Sequence, residues 1–171
     1  LDDMCMRFIY KNIIVIIIMI QSYLKTYKKT EDTKLYSHTY IVPCTCELND
    51  KEEDFTIGKA QIFSEGTDVS IFACGHLVWN AIQAGAALQE KGISVEVINI
   101  HTIKPLHEEA VLKSIRKTKC AVTAEEHNII GGMGDTIAQC AAKNFPVPIE
   151  FVGTKDTFGE SGTPAQLLKK Y

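Results

Sequence analysis

From Gly58 onward, short apolar runs alternate with stretches of helical spacing, and this alternation most limits the possible folds. The apolar runs lie at 59–64, 68–75, 93–100, 120–126 and 148–154, and the helical stretches at 76–92, 105–118, 135–144 and 163–171. Strands that are apolar throughout are typical of a sheet buried on both faces. The pattern therefore predicts an α/β protein with a mostly parallel sheet covered by helices and right-handed connections. It does not settle whether the first strand, 59–64, runs antiparallel at an edge.

Local signals indicate where these helices begin and end. Pro105 is expected to open the second helix, with Glu108 in its first turn and Lys117 in its last, matching the helix dipole. Gly92 is expected to close the first helix, and Thr163 to cap the last one.

The composition changes abruptly near residue 58, which divides the chain in two. All eleven glycines lie from Gly58 onward, and no alanine precedes Ala60. One domain rarely omits two common residues for so long. Residues 1–54 are therefore predicted to be either a genuine extra segment or a mis-called, out-of-frame start, and we prefer the second interpretation. Residues 55–171 form the predicted domain, and we expect removal of residues 1–47 to leave its melting temperature nearly unchanged.

The apolar stretch at 13–20 raises the question of a membrane segment. It has only eight residues, whereas a spanning helix needs about 20. Its many β-branched residues favour a buried or aggregation-prone strand, with a hydrophobic anchor as the alternative. The prediction is a chain without a membrane span.

Charge and cysteines limit the partners and the compartment. The formal net charge is −3, so no overall attraction to nucleic acid is expected. The six cysteines do not match a zinc-site spacing, and those at 74, 120 and 140 lie in apolar runs, where free thiols are typical. A reducing, cytoplasmic location without disulfides is predicted.

The stretch "EEHNIIGGMGD", residues 125–135, joins a predicted strand to a predicted helix. A glycine turn at a helix N-terminus is suited to binding an anion. However, its spacing does not match the dinucleotide or P-loop patterns. The alternative is a structural turn, in which Gly131, Gly132 and Gly134 allow positive φ angles and close packing.

Polar residues also follow the strands at the same end of the predicted sheet. The candidates for a crevice there are His76, Glu126, His127, Asp156 and Glu160. A cluster of this kind could perform acid–base chemistry, although polar loops are the usual finding at this edge. We predict no catalytic, cofactor-binding or metal-binding residue.

Three motifs in order resemble the C-terminal domain of transketolases. They are "NIHTIKPL" (99–106), "TAEEHNIIGGMGDTIAQ" (123–139) and "GTKDTFGESGTPAQLL" (153–168). The resemblance covers residues 55–171. The equivalent domains of deoxyxylulose-phosphate synthase and of the 2-oxoacid dehydrogenase β subunit are more distant alternatives.

The resemblance implies a three-layer α/β/α domain whose five-stranded sheet has one antiparallel edge strand. It further implies that this domain contributes to the contacts between subunits of an oligomer. It also implies that thiamine diphosphate and Mg²⁺ bind in the other domains of a cytoplasmic ketol transferase of the pentose phosphate pathway. This chain would then be a non-catalytic section that acts with a transketolase N-terminal section or another cofactor-bearing chain, in a homo- or hetero-oligomer. The alternative is a free-standing module that binds a small anion in the crevice at the sheet end.

Overall fold

The computed structural model describes residues 56–170. The predictions for residues 1–54, including the apolar stretch at 13–20, lie outside the described residues. In chain order the elements are β1 (Gln61–Ser64), β2 (Val69–Ala73), α1 (Leu77–Gln89), β3 (Val95–Asn99), α2 (Glu108–Thr118), β4 (Ala121–Asn128), α3 (Met133–Asn144), β5 (Ile149–Thr154) and α4 (Pro164–Lys170). Within 56–170, no helix is both long and apolar enough to cross a membrane.

The five strands form one sheet in the order β1-β3-β2-β4-β5. β1 is antiparallel to β3, and Gln61 pairs with Asn99. The pairs β2–β3, β2–β4 and β4–β5 are parallel. The predicted fold class is therefore confirmed, and the direction of the first strand, which periodicity left open, is antiparallel.

Side chains alternate between the two faces of the sheet, and each face has its own core. On β2, Ile71 belongs to the core under α1, whereas its neighbour Phe72 belongs to the core under α2 and α3. Leu168 of α4 packs on the α1 side. Because β2 and β3 are buried at every position, they need apolar side chains on both faces.

Three helices have limits that differ from the sequence prediction by two residues or more. α3 begins at Met133 and not at residue 135. α2 begins at Glu108 and not at Pro105. The loop before it forms hydrogen bonds with the first residues of the domain. Gly58 N–H donates to Thr102 Oγ1 at 3.2 Å, and Ala60 N–H donates to His107 Nδ1 at 3.0 Å. α1 ends at Gln89, before Gly92.

A buried polar network under α2 is the main exception to the apolar strands. Glu96 of β3 is buried, accepts a hydrogen bond from Ser114 Oγ at 2.5 Å, and pairs with Lys117 Nζ at 2.7 Å. Ser70 Oγ lies 2.5 Å from Ser114 Oγ and 2.7 Å from Thr118 Oγ1. Every buried polar group named here has a partner, as burial requires. The network lies near the amino ends of the strands, opposite the edge considered next.

Candidate functional site

The carboxyl ends of the parallel strands meet at one edge of the sheet, which we call the carboxyl edge. It consists of the loops after β2, β3, β4 and β5, together with residues 56–60, which lead into β1. Ligands of open α/β sheets bind at this edge, so it is the first place to look for a site.

A buried carboxylate occupies the N-terminus of α3. Glu125, near the end of β4, is only 2% exposed. Its Oε2 accepts the Met133 N–H at 2.7 Å, and its Oε1 accepts the Gly134 N–H at 2.8 Å. These are free N–H groups of a first helical turn, the groups that would otherwise attract an anion. The chain therefore places its own negative charge where an external anion would bind.

At each of the three glycines of the turn, a larger residue is disfavoured for a different reason. Gly131 has φ +79, and its N–H donates to Asp135 Oδ2 at 2.6 Å. A Cβ on Gly132 would lie 2.3 Å from Glu125 Oε2, closer than real Cβ contacts. A Cβ on Gly134 would lie 2.7 Å from Phe151 Cδ1. The turn brings strand, carboxylate and helix closer together than any larger residue would permit.

A cleft of about 210 Å³ opens beside this turn, on the α1 side of the sheet. It is lined by Leu77, Glu125, Glu126, Val152, Gly153, Thr154, Gly159, Glu160, Leu167 and Leu168. The lining is mostly apolar, and its charged groups are all carboxylates. A cleft with this lining disfavours a small anion, because like charges repel.

The structure brings together two of the five predicted crevice residues. Glu126 and Glu160 line the cleft, and Glu160 forms an ion pair with Lys170. His76 immediately precedes Leu77 and is exposed at the start of α1. The other two candidates do not line the cleft: His127 Nδ1 lies 3.1 Å from the Asn128 carbonyl oxygen, and Asp156 is exposed with φ +40. The five residues are therefore not one acid–base cluster.

The free thiol at this edge is not an activated nucleophile. Burial, followed by the charge of Glu125, raises the pKa of Cys74 to about 11. A thiol with this pKa is almost entirely protonated near neutral pH, and only the thiolate is nucleophilic. In the described part of the chain, no group of three or more His, Cys, Asp or Glu side chains could hold a metal ion.

Sequence reasoning did not identify Glu125 as the cap of α3. The signal was present in the period of two along β4: residues 121, 123 and 125 share the face that packs on α3, whereas Glu126 lies on the other face and is exposed. Two adjacent glutamates thus have different environments: one is buried and accepts a hydrogen bond at each carboxylate oxygen, and the other is exposed.

Comparison with known families gives a match over nearly the whole described region. The family described as "Transketolase, C-terminal domain" matches residues 58–171. This range contains every helix and strand given above.

Individual relatives give the same result. The 6-deoxy-6-sulfo-D-fructose transketolase subunit SqwH of Clostridium sp. is 45% identical over 124 residues, which cover 72% of this chain and 38% of that protein. The 1-deoxy-D-xylulose-5-phosphate synthase 1 of Geobacter sulfurreducens is 37% identical over 126 residues, covering 72% of this chain and 20% of that protein.

A solved structure is also similar. It is described as a split gene transketolase in an inactive beta4 tetramer and superimposes with a TM-score of 0.71 at 38% identity. The match covers 74% of this chain and 41% of that one. The chain thus spans well under half the length of each of these relatives.

Proposed function

Because this chain belongs to the family of transketolase C-terminal domains, we propose that it is the non-catalytic C-terminal section of a transketolase-type enzyme. The complete enzyme would transfer a two-carbon ketol unit between sugar phosphates. The chemistry would take place on domains that this section lacks, which we call the cofactor-bearing section. The proposal rests on the family match over residues 58–171.

The relatives support a division of labour between sections. One is called a transketolase subunit and another a split gene transketolase, and this chain covers 38% and 41% of them. We infer that this chain likewise acts in an oligomer with a cofactor-bearing section, such as a transketolase N-terminal section.

The described residues do not fit thiamine diphosphate. A bound diphosphate needs a divalent cation with oxygen ligands, or free N–H groups, around its phosphates. Here the N–H groups of Met133 and Gly134 are taken by Glu125, and Glu126 and Glu160 place negative charge in the neighbouring cleft. The proposal therefore assigns thiamine diphosphate and Mg²⁺ to the cofactor-bearing section and derives no catalytic step from this chain.

In this proposal, the glycine turn of Gly131, Gly132 and Gly134 is a structural turn. The contact between Gly132 and Glu125 supports this role directly. A free-standing module that binds a small anion in the cleft finds less support, because the charged groups of the lining are carboxylates.

The proposal includes a place in the pentose phosphate pathway and in the cytoplasm. The free Cys74, Cys120 and Cys140 are typical of a reducing compartment. The identity of the sugar phosphates would be set by the cofactor-bearing section, since relatives named for different reactions share this domain.

The direct test is reconstitution. The purified chain is mixed with the cofactor-bearing section encoded in the same genome, thiamine diphosphate and Mg²⁺, and ketol transfer from a ketose phosphate to an aldose phosphate is measured. We expect activity only when both sections are present. Full activity of the cofactor-bearing section alone would refute the need for this chain.

A calorimetric titration of the isolated chain tests the assignment of the cofactor. Thiamine diphosphate with Mg²⁺ should give no heat of binding. A dissociation constant tighter than about millimolar, equivalent to about 4 kcal/mol, would show that this chain contains a cofactor site.

A further inference from the structure

Large exposed apolar side chains in residues 56–170 are concentrated at the carboxyl edge. Ile57, Ile130 and Phe158 are 78%, 63% and 99% exposed, and Trp79 and Ile103 are partly exposed. The only other large apolar residue of this exposure within 56–170 is Ile62, on β1. None of the six lies at the amino ends of the parallel strands.

The five residues follow the order of the sheet. Ile57 precedes β1, Ile103 follows β3, Trp79 lies in the first turn after β2, Ile130 follows β4, and Phe158 follows β5. Each strand of the order β1-β3-β2-β4-β5 therefore has one such residue at the same edge. Adjacent strands lie about 4.8 Å apart, so the series extends across the whole width of the sheet. We call these five residues the apolar row.

A series of this kind on one edge indicates a protein contact. Single exposed apolar residues are normal, but a concentration on one surface marks an interaction site. The neighbouring cleft contributes further apolar surface through Leu167 and Leu168, which are partly exposed.

The position where the chain enters the domain favours a partner that precedes this domain in longer relatives. Residues 56–60 lie at the carboxyl edge and are held there by the hydrogen bonds of Gly58 N–H to Thr102 and of Ala60 N–H to His107. A section that precedes this domain in a longer relative would therefore join it at the apolar row. This chain covers only 38–41% of two such relatives, so a large section is available to cover the row.

We propose that the apolar row is the docking surface for the cofactor-bearing section. This inference rests on the proposed function and adds to it the surface through which this chain acts. The section need not be covalently joined, because apolar burial would hold it in the same place. The matching surface on the partner is expected to be apolar at its centre, as in stable interfaces.

The experiment uses the full chain with the cofactor-bearing section encoded in the same genome. The double variant Ile130→Ser/Phe158→Ser removes two members of the row. The control Ile62→Ser removes an apolar side chain that is 45% exposed but lies on β1. Trp79 is the only tryptophan of the chain, so 5-fluorotryptophan gives one ¹⁹F signal within the row. Binding is measured by calorimetry, and self-association by sedimentation.

We expect the section to shift the ¹⁹F signal of the wild-type chain. The double variant should bind it at least about 30-fold more weakly, equal to about 2 kcal/mol, with an unchanged melting curve, whereas Ile62→Ser should bind as the wild type does. Binding of the double variant within about threefold of wild type would refute the docking surface.

The remaining outcomes separate the two proposals. A wild-type dimer that the double variant loses, with unchanged affinity for the section, would make the row a contact between copies and overturn this inference. Binding through the row without restored activity would uphold the surface and refute the proposed function. Absence of any binding to the section would refute both.

Discussion

Gly132→Ala is expected to be among the most damaging single-methyl additions in this domain. The new Cβ would lie 2.3 Å from Glu125 Oε2 and 2.6 Å from the Asn128 carbonyl oxygen. The carboxylate cannot move away freely, because it is buried between β4 and the N-terminus of α3. The substitution must therefore displace Glu125 from the two N–H groups that donate hydrogen bonds to it.

The expected loss follows from those two hydrogen bonds. Their lengths are 2.7 Å to Met133 and 2.8 Å to Gly134. A hydrogen bond to a charged group contributes about 1.5–3 kcal/mol, and a displaced carboxylate also loses the favourable end of the helix dipole. We expect Gly132→Ala to lower the free energy of unfolding by at least about 3 kcal/mol, a large part of the stability of an ordinary domain.

Urea titration of the full chain, followed by far-UV circular dichroism, measures this loss. Gly131→Ala is the matched control in the same turn, because nothing lies within 4 Å of its Cβ position. Its positive φ should cost about 1–2 kcal/mol. In a Glu125→Ala background, Gly132→Ala should cost only the remaining contact with Asn128, which gives a coupling of about 2 kcal/mol or more. Equal losses for the two glycine variants, or no coupling, would refute the capping argument.

Two further predictions concern the buried network and the thiols. Lys117→Met should cost about 1–3 kcal/mol in urea titrations, because it leaves the buried Glu96 carboxylate without a cation, whereas Glu65→Gln at the exposed end should be nearly neutral. Burial raises the pKa of Cys74 and of Cys120 to about 11, so both should resist alkylation at about pH 8 until the chain unfolds. Because unfolded thiols ionise near 8.5, the native state then binds more protons and stability should fall as pH rises from about 8.5 to about 11.

Hydrophobic periodicity was sufficient to predict the architecture. Strands buried on both faces are apolar at nearly every position, as in β2 (Val69–Ala73). This pattern can be recognised in a single sequence. The antiparallel direction of β1 (Gln61–Ser64) was not accessible in this way. The direction of this strand is defined by its backbone pairing, in which Gln61 lies opposite Asn99. The pattern of apolar residues would be the same for either direction.

The candidate site was harder to predict because it depends on contacts between distant residues. Glu125 and Glu126 are adjacent and chemically identical, and only their opposite faces on β4 make one a buried helix cap and the other an exposed side chain. Glu96, inside an apolar strand, similarly gave no sign that Ser114 and Lys117 would meet it, since both lie on a helix at least 18 residues away. A polar residue within a buried strand indicates that it has a hydrogen-bonding partner, but it does not indicate which residue that partner is.

In the proposed function, the capped helix has a structural role and the apolar row has a docking role at the same edge. In open α/β sheets, the carboxyl edge attracts ligands mainly through free N–H groups at helix N-termini. Glu125 removes that attraction at α3 by forming both hydrogen bonds internally. The same edge also exposes apolar side chains, including Ile130 in the turn that Glu125 holds. Capping and docking are then linked, because displacing Glu125 would also move Ile130. Gly132→Ala should consequently weaken binding of the cofactor-bearing section even under conditions where the domain remains folded.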